Sequence, residues 1–513
     1  MDAFTNLIMG FQIALSPYNL MIATVGIILG TIIGVLPGLG GANGVAILLP
    51  VTFVMPPTSG IILLSCIYWG ALFGGAITSI LFNIPGEPWS VATTFDGHPM
   101  AKQGLGGQAL TAAFMSSFIG AAFAIVLVTF FAPLIAEFSL HFGPPEFLGI
   151  QLLTFSSFVG LGGASPVKTI ASILIGFILG AVGMDIISGQ LRLTFGTVEL
   201  MRGFSFVVAV IGLFGIGEIF LTVEEGLEFR GAQTALSWRV ILETLRVLPA
   251  YWKTFVRSAL IGSWMGIKPG GATPASFMSY GIARKFSKTP EKFGTGVLEG
   301  VLAPETAAHA AGVSALLPMM TLGIPGSPTA AVMLGGLLIW GLQPGPMLFK
   351  ERPDFVWGLI ASMYTGNVIG VLIVLLFVPV FAAILRMPFA ILIPVIVYVC
   401  AIGAYAVSNS TMGIWYMLIF GVVGYFCKKL DYPIAPMVLA LVLGDMAESA
   451  LQQSLIMSQG SPLIFVTRPI SAVLVVLSLG LFVSPGIQAL LRRWRQGAAR
   501  QLEARPGLHV DAP

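Results

Sequence analysis

The pentapeptide IPGEP at residues 84 to 88 and its near copy IPGSP at 324 to 328 both interrupt apolar sequence where a helix would otherwise continue. Proline removes a backbone donor and clashes with the preceding turn, and glycine tolerates backbone angles that other residues avoid, so each pentapeptide ends a helix. A second pair repeats the device: GVLPG at 34 to 38 and GIKPG at 266 to 270. The first pair lies 240 positions apart and the second 232, in the same order along the chain. The pattern predicts a duplicated unit. Its second copy carries eight extra residues, at the basic stretch Arg284 to Lys292.

Composition sets the solvent in which these breaks must survive. Hydrophobic residues make up 56% of the 513 and charged residues 9%, against roughly 45 to 50% and about 25% in a soluble domain. Apolar stretches long enough for a hydrocarbon core of about 30 Å recur throughout, for example at 20 to 36, 60 to 83, 110 to 135, 204 to 222, 294 to 320 and 470 to 490. A transmembrane β-barrel would show short alternating segments instead. The chain is therefore expected to be an all-α polytopic membrane protein of roughly a dozen spans. Residues 1 to 223 and 254 to 490 read as two repeat halves of inverted topology. Residues 224 to 253 form a polar linker between them, and 491 to 513 a cytoplasmic tail. Basic residues gather at Arg246, Lys253 and Arg257, at Arg284 to Lys292, at Lys428 and Lys429 and at Arg492 to Arg495, which places those regions on the cytoplasmic side. No Lys or Arg precedes Lys102, so the first apolar segment is expected to remain as a span rather than be cleaved. Cys66, Cys400 and Cys427 have no metal-ligand spacing and read as packing residues.

In hydrocarbon an unsatisfied backbone group costs several kcal/mol, so broken helices persist only where protein or a water-filled cavity satisfies them. Half-helix ends then offer amides to anions and carbonyls to cations, and paired breaks in two halves point to a transporter site. The candidate substrate-binding positions are Gly38, Gly40, Gly41, Asn43, Gly86 and Glu87 in the first half. In the second half they are Lys268, Gly270, Gly271, Thr273, Ser276, Gly326, Ser327 and Thr329. Asn43, Thr273 and Ser276 carry oxygens suited to a sodium ion, and equally suited to capping half-helices. Charges within apolar sequence are few and costly: Glu87 and Lys268 at the breaks, and Glu305, His309, Asp445 and Glu448 elsewhere. Lys268 replaces Leu36 and Ser327 replaces Glu87 between the copies. Lys268 either receives a substrate carboxylate or is neutralised by Glu87.

Four stretches, GVLPGLGGANGVAILLP from 34, NIPGEPWSVATTFDGHPMAKQG from 83, KPGGATPASFMSYGIARKFSK from 268 and GIPGSPTAAVMLGGLLIWGLQPGP from 323, resemble the large membrane subunit of tripartite tricarboxylate transporters. The resemblance extends over roughly residues 15 to 490. It implies a permease of the bacterial inner membrane that takes up citrate-like or other carboxylate anions on an ion gradient. It also implies a small transmembrane subunit and a periplasmic solute-binding protein as partners. No substrate residue is carried over from the resemblance; the positions above come from the breaks and their chemistry.

Other classes fit less well. No G-x-x-x-x-G-K-[ST] phosphate loop is present for a pump, and no nucleophile signature surrounds His98 or His309 for a hydrolase. The chain is not expected to be an enzyme, to carry a cofactor or to bind nucleic acid. A channel accounts for the apolar helices but not for paired breaks, and a stand-alone carboxylate symporter is the runner-up. Neutral oxygens at the breaks favour sodium as coupling ion; a proton would use Glu87, Glu305 or Asp445.

Overall fold

The structure is a computed structural model that describes residues 3–36, 39–161, 165–185, 189–225, 237–268, 271–384 and 389–503. Apart from a two-residue antiparallel pairing of Gly183–Met184 with Leu191–Arg192, the regular structure described is helical. Among the described residues eight helices are long and apolar enough to cross a membrane, and five shorter apolar helices accompany them. Eight candidate spans thus stand where roughly a dozen were expected, and the shorter apolar helices occupy other stretches that read as spans. A helix such as Pro328–Ile339, with 12 residues, reaches only about 18 Å at 1.5 Å per residue, short of the roughly 30 Å core. The apolar run 294 to 320 is divided as well, into Leu298–Ser314 and Leu316–Leu322.

The Pro57–Phe82 helix is the central element, buried over its whole candidate span, whereas only 11% of the Pro469–Ile487 span is buried. Exposed Val473, Val476, Leu477 and Leu479 on the latter suit contact with lipid. Pro17–Val35 lies against the central helix through Gly30 and Gly34: a Cβ at either would overlap the carbonyl of Ile67 or Ala71. Small residues at such spacing let two helices approach closely, where dispersion rather than hydrophobicity drives association. In the second half Trp252–Gly266 meets Leu298–Ser314 through Gly262 and Gly266, which lie against the carbonyls of Ala307 and Ala311.

Both Ile-Pro-Gly breaks begin with a left-handed residue, Asn83 at φ 59° and Gly323 at φ 72°. The next amide reaches back to the helix, from Ile84 to the Thr78 carbonyl at 3.3 Å and from Ile324 to the Pro318 carbonyl at 3.1 Å. Such a left-handed stop satisfies the orphan carbonyls of the last turn. Glu87 (φ −142°, ψ 156°) and Ser327 (φ −146°, ψ 162°) are then extended before the chain resumes as helix. At the Pro-Gly breaks the Leu36 and Lys268 amides donate to Ile33 and Met265, each at 3.1 Å.

The polar stretch expected as a linker is not uniformly one. Residues 226–236 lie outside the described residues, but Trp238–Val247 is a helix whose N-terminus Ser237 caps by accepting from the Val240 amide at 3.3 Å. Cys66, Cys400 and Cys427 are free thiols buried in the core. Of the tail, 504–513 lie outside the described residues, and the rest continues the Pro469–Glu503 helix.

Candidate functional site

The breaks from the two halves meet at a cavity of about 740 Å³. From the first half it is lined by Gly40, Asn43 and Pro85 to Trp89, and from the second by Ala272 to Pro274 and Gly326 to Pro328. Further wall comes from Phe158, Thr169, Phe214, Glu218, Lys428, Pro433 and Pro436. Contacts across the halves hold the breaks together. Ser276 Oγ donates to the Trp89 carbonyl at 2.7 Å, and Tyr68 Oη to Ser327 Oγ at 3.3 Å.

Seven of the sequence-predicted positions therefore reach the cavity: Gly40, Asn43, Gly86, Glu87, Thr273, Gly326 and Ser327. Gly41 stands behind it, its amide donating to Glu87 Oε1. The amide end expected to be open to an anion is thus met by the protein's own carboxylate. Gly40 is left-handed at φ 56°, and a Cβ there would come within 2.7 Å of Glu87 Oε1. Ser327 caps Pro328–Ile339 by accepting from the Ala330 amide at 3.1 Å. Thr329 is buried outside the cavity lining, and Gly271 donates to the Lys268 carbonyl at 3.0 Å. Gly38 and Gly270 lie outside the described residues. Of the three oxygens considered for sodium, Asn43 and Thr273 reach the cavity, whereas the Ser276 hydroxyl is committed to Trp89.

Lys268 is not paired with Glu87. Its ammonium lies 5.2 Å from the ring centroid of exposed Trp264, it does not line the cavity, and no ion pair joins it to Glu87. The opposite charges of Glu87 and Lys268 were legible in the sequence, but the partner of each was not, because which side chains meet is set by helix rotation.

The other intramembrane charges are held in two separate clusters. Thr93 Oγ1 and Ser117 Oγ donate to the Glu305 carboxylate at 2.6 and 3.2 Å, and His309 Nδ1 lies 3.6 Å from it. Asp445 and Glu448 border a smaller cavity of about 300 Å³, where Arg192 pairs with Glu448 at 3.0 Å and Asp185 at 3.2 Å. Sequence reasoning missed Glu218 and Lys428. Glu218 was visible as a carboxylate inside the apolar run 204 to 222. Lys428 reads in the sequence as one of a basic pair with Lys429; in the structure it lines the cavity wall and pairs with Glu218.

The model of the family described as "Tripartite tricarboxylate transporter TctA family" matches residues 20–439. The chain belongs to the TctA family. It is accordingly the large membrane subunit of a tripartite tricarboxylate transport system, a multi-pass protein of the bacterial inner membrane and not an enzyme. Among its relatives is an uncharacterised 52.8 kDa protein in the TAR-I ttuC' 3' region of Agrobacterium vitis. It is 38% identical over 485 residues, covering 94% of this chain and 96% of the relative. A second, an uncharacterised protein in the TAR-II ttuC' 3' region of the same organism, is 37% identical over 219 residues, 42% of this chain and 90% of its own. No solved structure matches this TctA-family chain.

Proposed function

We propose that this TctA-family subunit imports a di- or tricarboxylate anion by sodium-coupled secondary transport. The anion is delivered by a periplasmic solute-binding protein, and a small transmembrane subunit completes the complex. The observation that carries the reading is the charge of the cavity where the breaks meet. Its described lining holds two carboxylates, Glu87 and Glu218, against one ammonium, Lys428, a formal charge of minus one. A multivalent anion entering alone would be repelled in a medium of low dielectric; a cation entering with it offsets that repulsion. Asn43 and Thr273 supply neutral oxygens beside Glu87 for such an ion, a donor set suited to sodium. Proteoliposomes holding both membrane subunits are expected to take up labelled citrate, malate or succinate only with the binding protein present and an inward sodium gradient imposed. Full uptake without the binding protein would make the chain a stand-alone symporter, and uptake driven by a pH gradient in sodium-free medium would assign the coupling to protons.

The same reading includes duplication with inverted topology. Its support is that contacts recur at the offsets of the motifs. Gly30 and Gly34 lie on Ile67 and Ala71 as Gly262 and Gly266 lie on Ala307 and Ala311, and Asn83 turns left-handed as Gly323 does. The halves also interleave. Gly106–Ser139 packs on Leu298–Ser314, while Pro353–Ile384 packs on Pro57–Phe82. Gln103 and Gln343 are exposed counterparts 240 positions apart, beyond the two Ile-Pro-Gly breaks. In a variant lacking the three native cysteines, Gln103→Cys and Gln343→Cys are expected to react with an impermeant maleimide from opposite sides of the membrane. Labelling of both from one side would exclude inversion.

A further inference from the structure

We propose that Lys428 is the residue that receives a carboxylate group of the transported anion, with Glu218 as the group that holds its ammonium in place. The inference rests on the reading of the chain as a carboxylate transporter and names a binding residue for it.

Lys428 is the only cationic side chain among the described residues lining the cavity. Its side chain is 19% exposed and that of its partner Glu218 11%. The pair is therefore largely withdrawn from water, where a charge–charge contact is stronger than at a surface. An ammonium has three donors. Glu218 accepts one, and the Phe214 carbonyl lies 3.4 Å from Nζ. That carbonyl belongs to a π-helical turn, Ile211–Ile216, separated from Glu218 by Gly217 alone. Such turns release carbonyls from the regular ladder and recur at functional sites. The neighbouring Lys429 provides the contrast: it is 47% exposed and pairs at 2.5 Å with Glu224, equally exposed. Two adjacent lysines at the end of Thr411–Lys429 thus have different surroundings, one at the cavity wall and one at the surface.

Charge around the cavity gives direction. Glu87, on the Ile-Pro-Gly break, repels an anion. Lys428 attracts it, so the carboxylate is drawn to the wall formed by Phe214 and Lys428 while a cation is drawn to Glu87. A substrate carboxylate reaching Nζ makes a charge-assisted hydrogen bond, and Glu218 keeps the ammonium from turning away when the cavity is empty.

The test uses the complete complex of this chain, its small subunit and its binding protein in proteoliposomes, with rates normalised to monodisperse protein. Lys428→Gln is expected to lower carboxylate uptake efficiency about ten- to a hundredfold, with Lys429→Gln at the wild-type level. Glu218→Gln keeps the ammonium but removes the carboxylate that holds it in place, and is expected to lower uptake efficiency by a smaller factor than Lys428→Gln. The double variant Glu218→Gln with Lys428→Gln removes both buried charges and so avoids stranding one. It is expected to fold and to remain as defective as Lys428→Gln. In parallel, citrate, malate and succinate should each raise the unfolding temperature of the purified wild-type membrane complex more than that of the double variant. Wild-type uptake by the double variant would overturn the proposal and make the pair structural, as would failure of both the single and double variants to fold. Absence of carboxylate uptake by the wild-type complex would instead overturn the transport reading on which the proposal rests.

Discussion

Gly86→Ala and Gly326→Ala are each expected to cost most of the folded, monodisperse yield of the protein. A Cβ at Gly86 would lie 2.7 Å from the Gly34 carbonyl oxygen and 2.7 Å from the Gly75 Cα. At Gly326 it would lie 2.6 Å from the Gly266 oxygen and 2.7 Å from the Ala315 Cα. All four neighbours are backbone, so no side chain can rotate away and whole helices must separate. Overpacking of a core costs about 1 to 3 kcal/mol where neighbours can yield, and here the upper end or more is expected. The loss should appear as a lowered unfolding temperature in detergent as well as in uptake. Gly281, in Ala272–Phe286, has open space around a Cβ. Gly281→Ala is expected to be neutral or to stabilise by about 0.5 to 1 kcal/mol. Wild-type stability with lost uptake in Gly86→Ala would instead mean that the glycine is there for a ligand and not for the helix beside it.

Asp96→Ala is expected to destabilise the protein by about 3 to 5 kcal/mol, the low end of the sum for its orphaned donors at roughly 1 to 3 each, because water can reach the amide of exposed Gly294. Asp96 is fully buried. Its Oδ1 accepts from the amides of Gly294, Gly296 and Val297 at 2.9, 2.9 and 2.8 Å, and its Oδ2 from the Tyr280 hydroxyl at 2.9 Å. One carboxylate in the first half thus anchors the loop between Ala272–Phe286 and Leu298–Ser314 in the second, and the former helix carries Thr273 to the cavity. Asp96→Asn keeps one oxygen for the three amides, and the tyrosine hydroxyl can turn to accept from the new amide. Its cost should be smaller, about 1.5 to 3 kcal/mol, that of one hydrogen bond to a charged group. Thermal unfolding of the purified protein and protease sensitivity of residues 287 to 297 provide the measurement. Equal stability of the alanine variant and the wild type would show that the loop is held by other contacts.

What was legible in the residues was local. Proline and glycine act on the backbone within a turn of where they stand, so the four breaks, their order and their offsets could be read without knowing what lay nearby. The helices do stop around Val35, Phe82, Gly266 and Leu322, and the low charge content placed them in a membrane. The glycine spacing that brings Gly30 and Gly34 against another helix is local as well. Which helix they meet is not.

The contents of the site depended on packing between distant segments. A pairing of Glu87 with Lys268 was one of two readings open in the sequence, but Glu87 bonds the Gly41 amide, 46 positions away, while Lys268 covers Trp264. Lys428 meets Glu218 across 210 positions, and Asp96 reaches the Gly294 to Val297 loop. A charged side chain in an apolar run announces only that a partner must exist, because an isolated charge is costly there. It carries no information on the rotation and depth of the helix that brings the partner. Those are set by how glycine-faced helices settle against one another's carbonyls, a property of the assembled bundle. Residue chemistry along the chain was enough for the solvent, the breaks and the need for compensation, whereas which residue compensates which followed from how the helices pack.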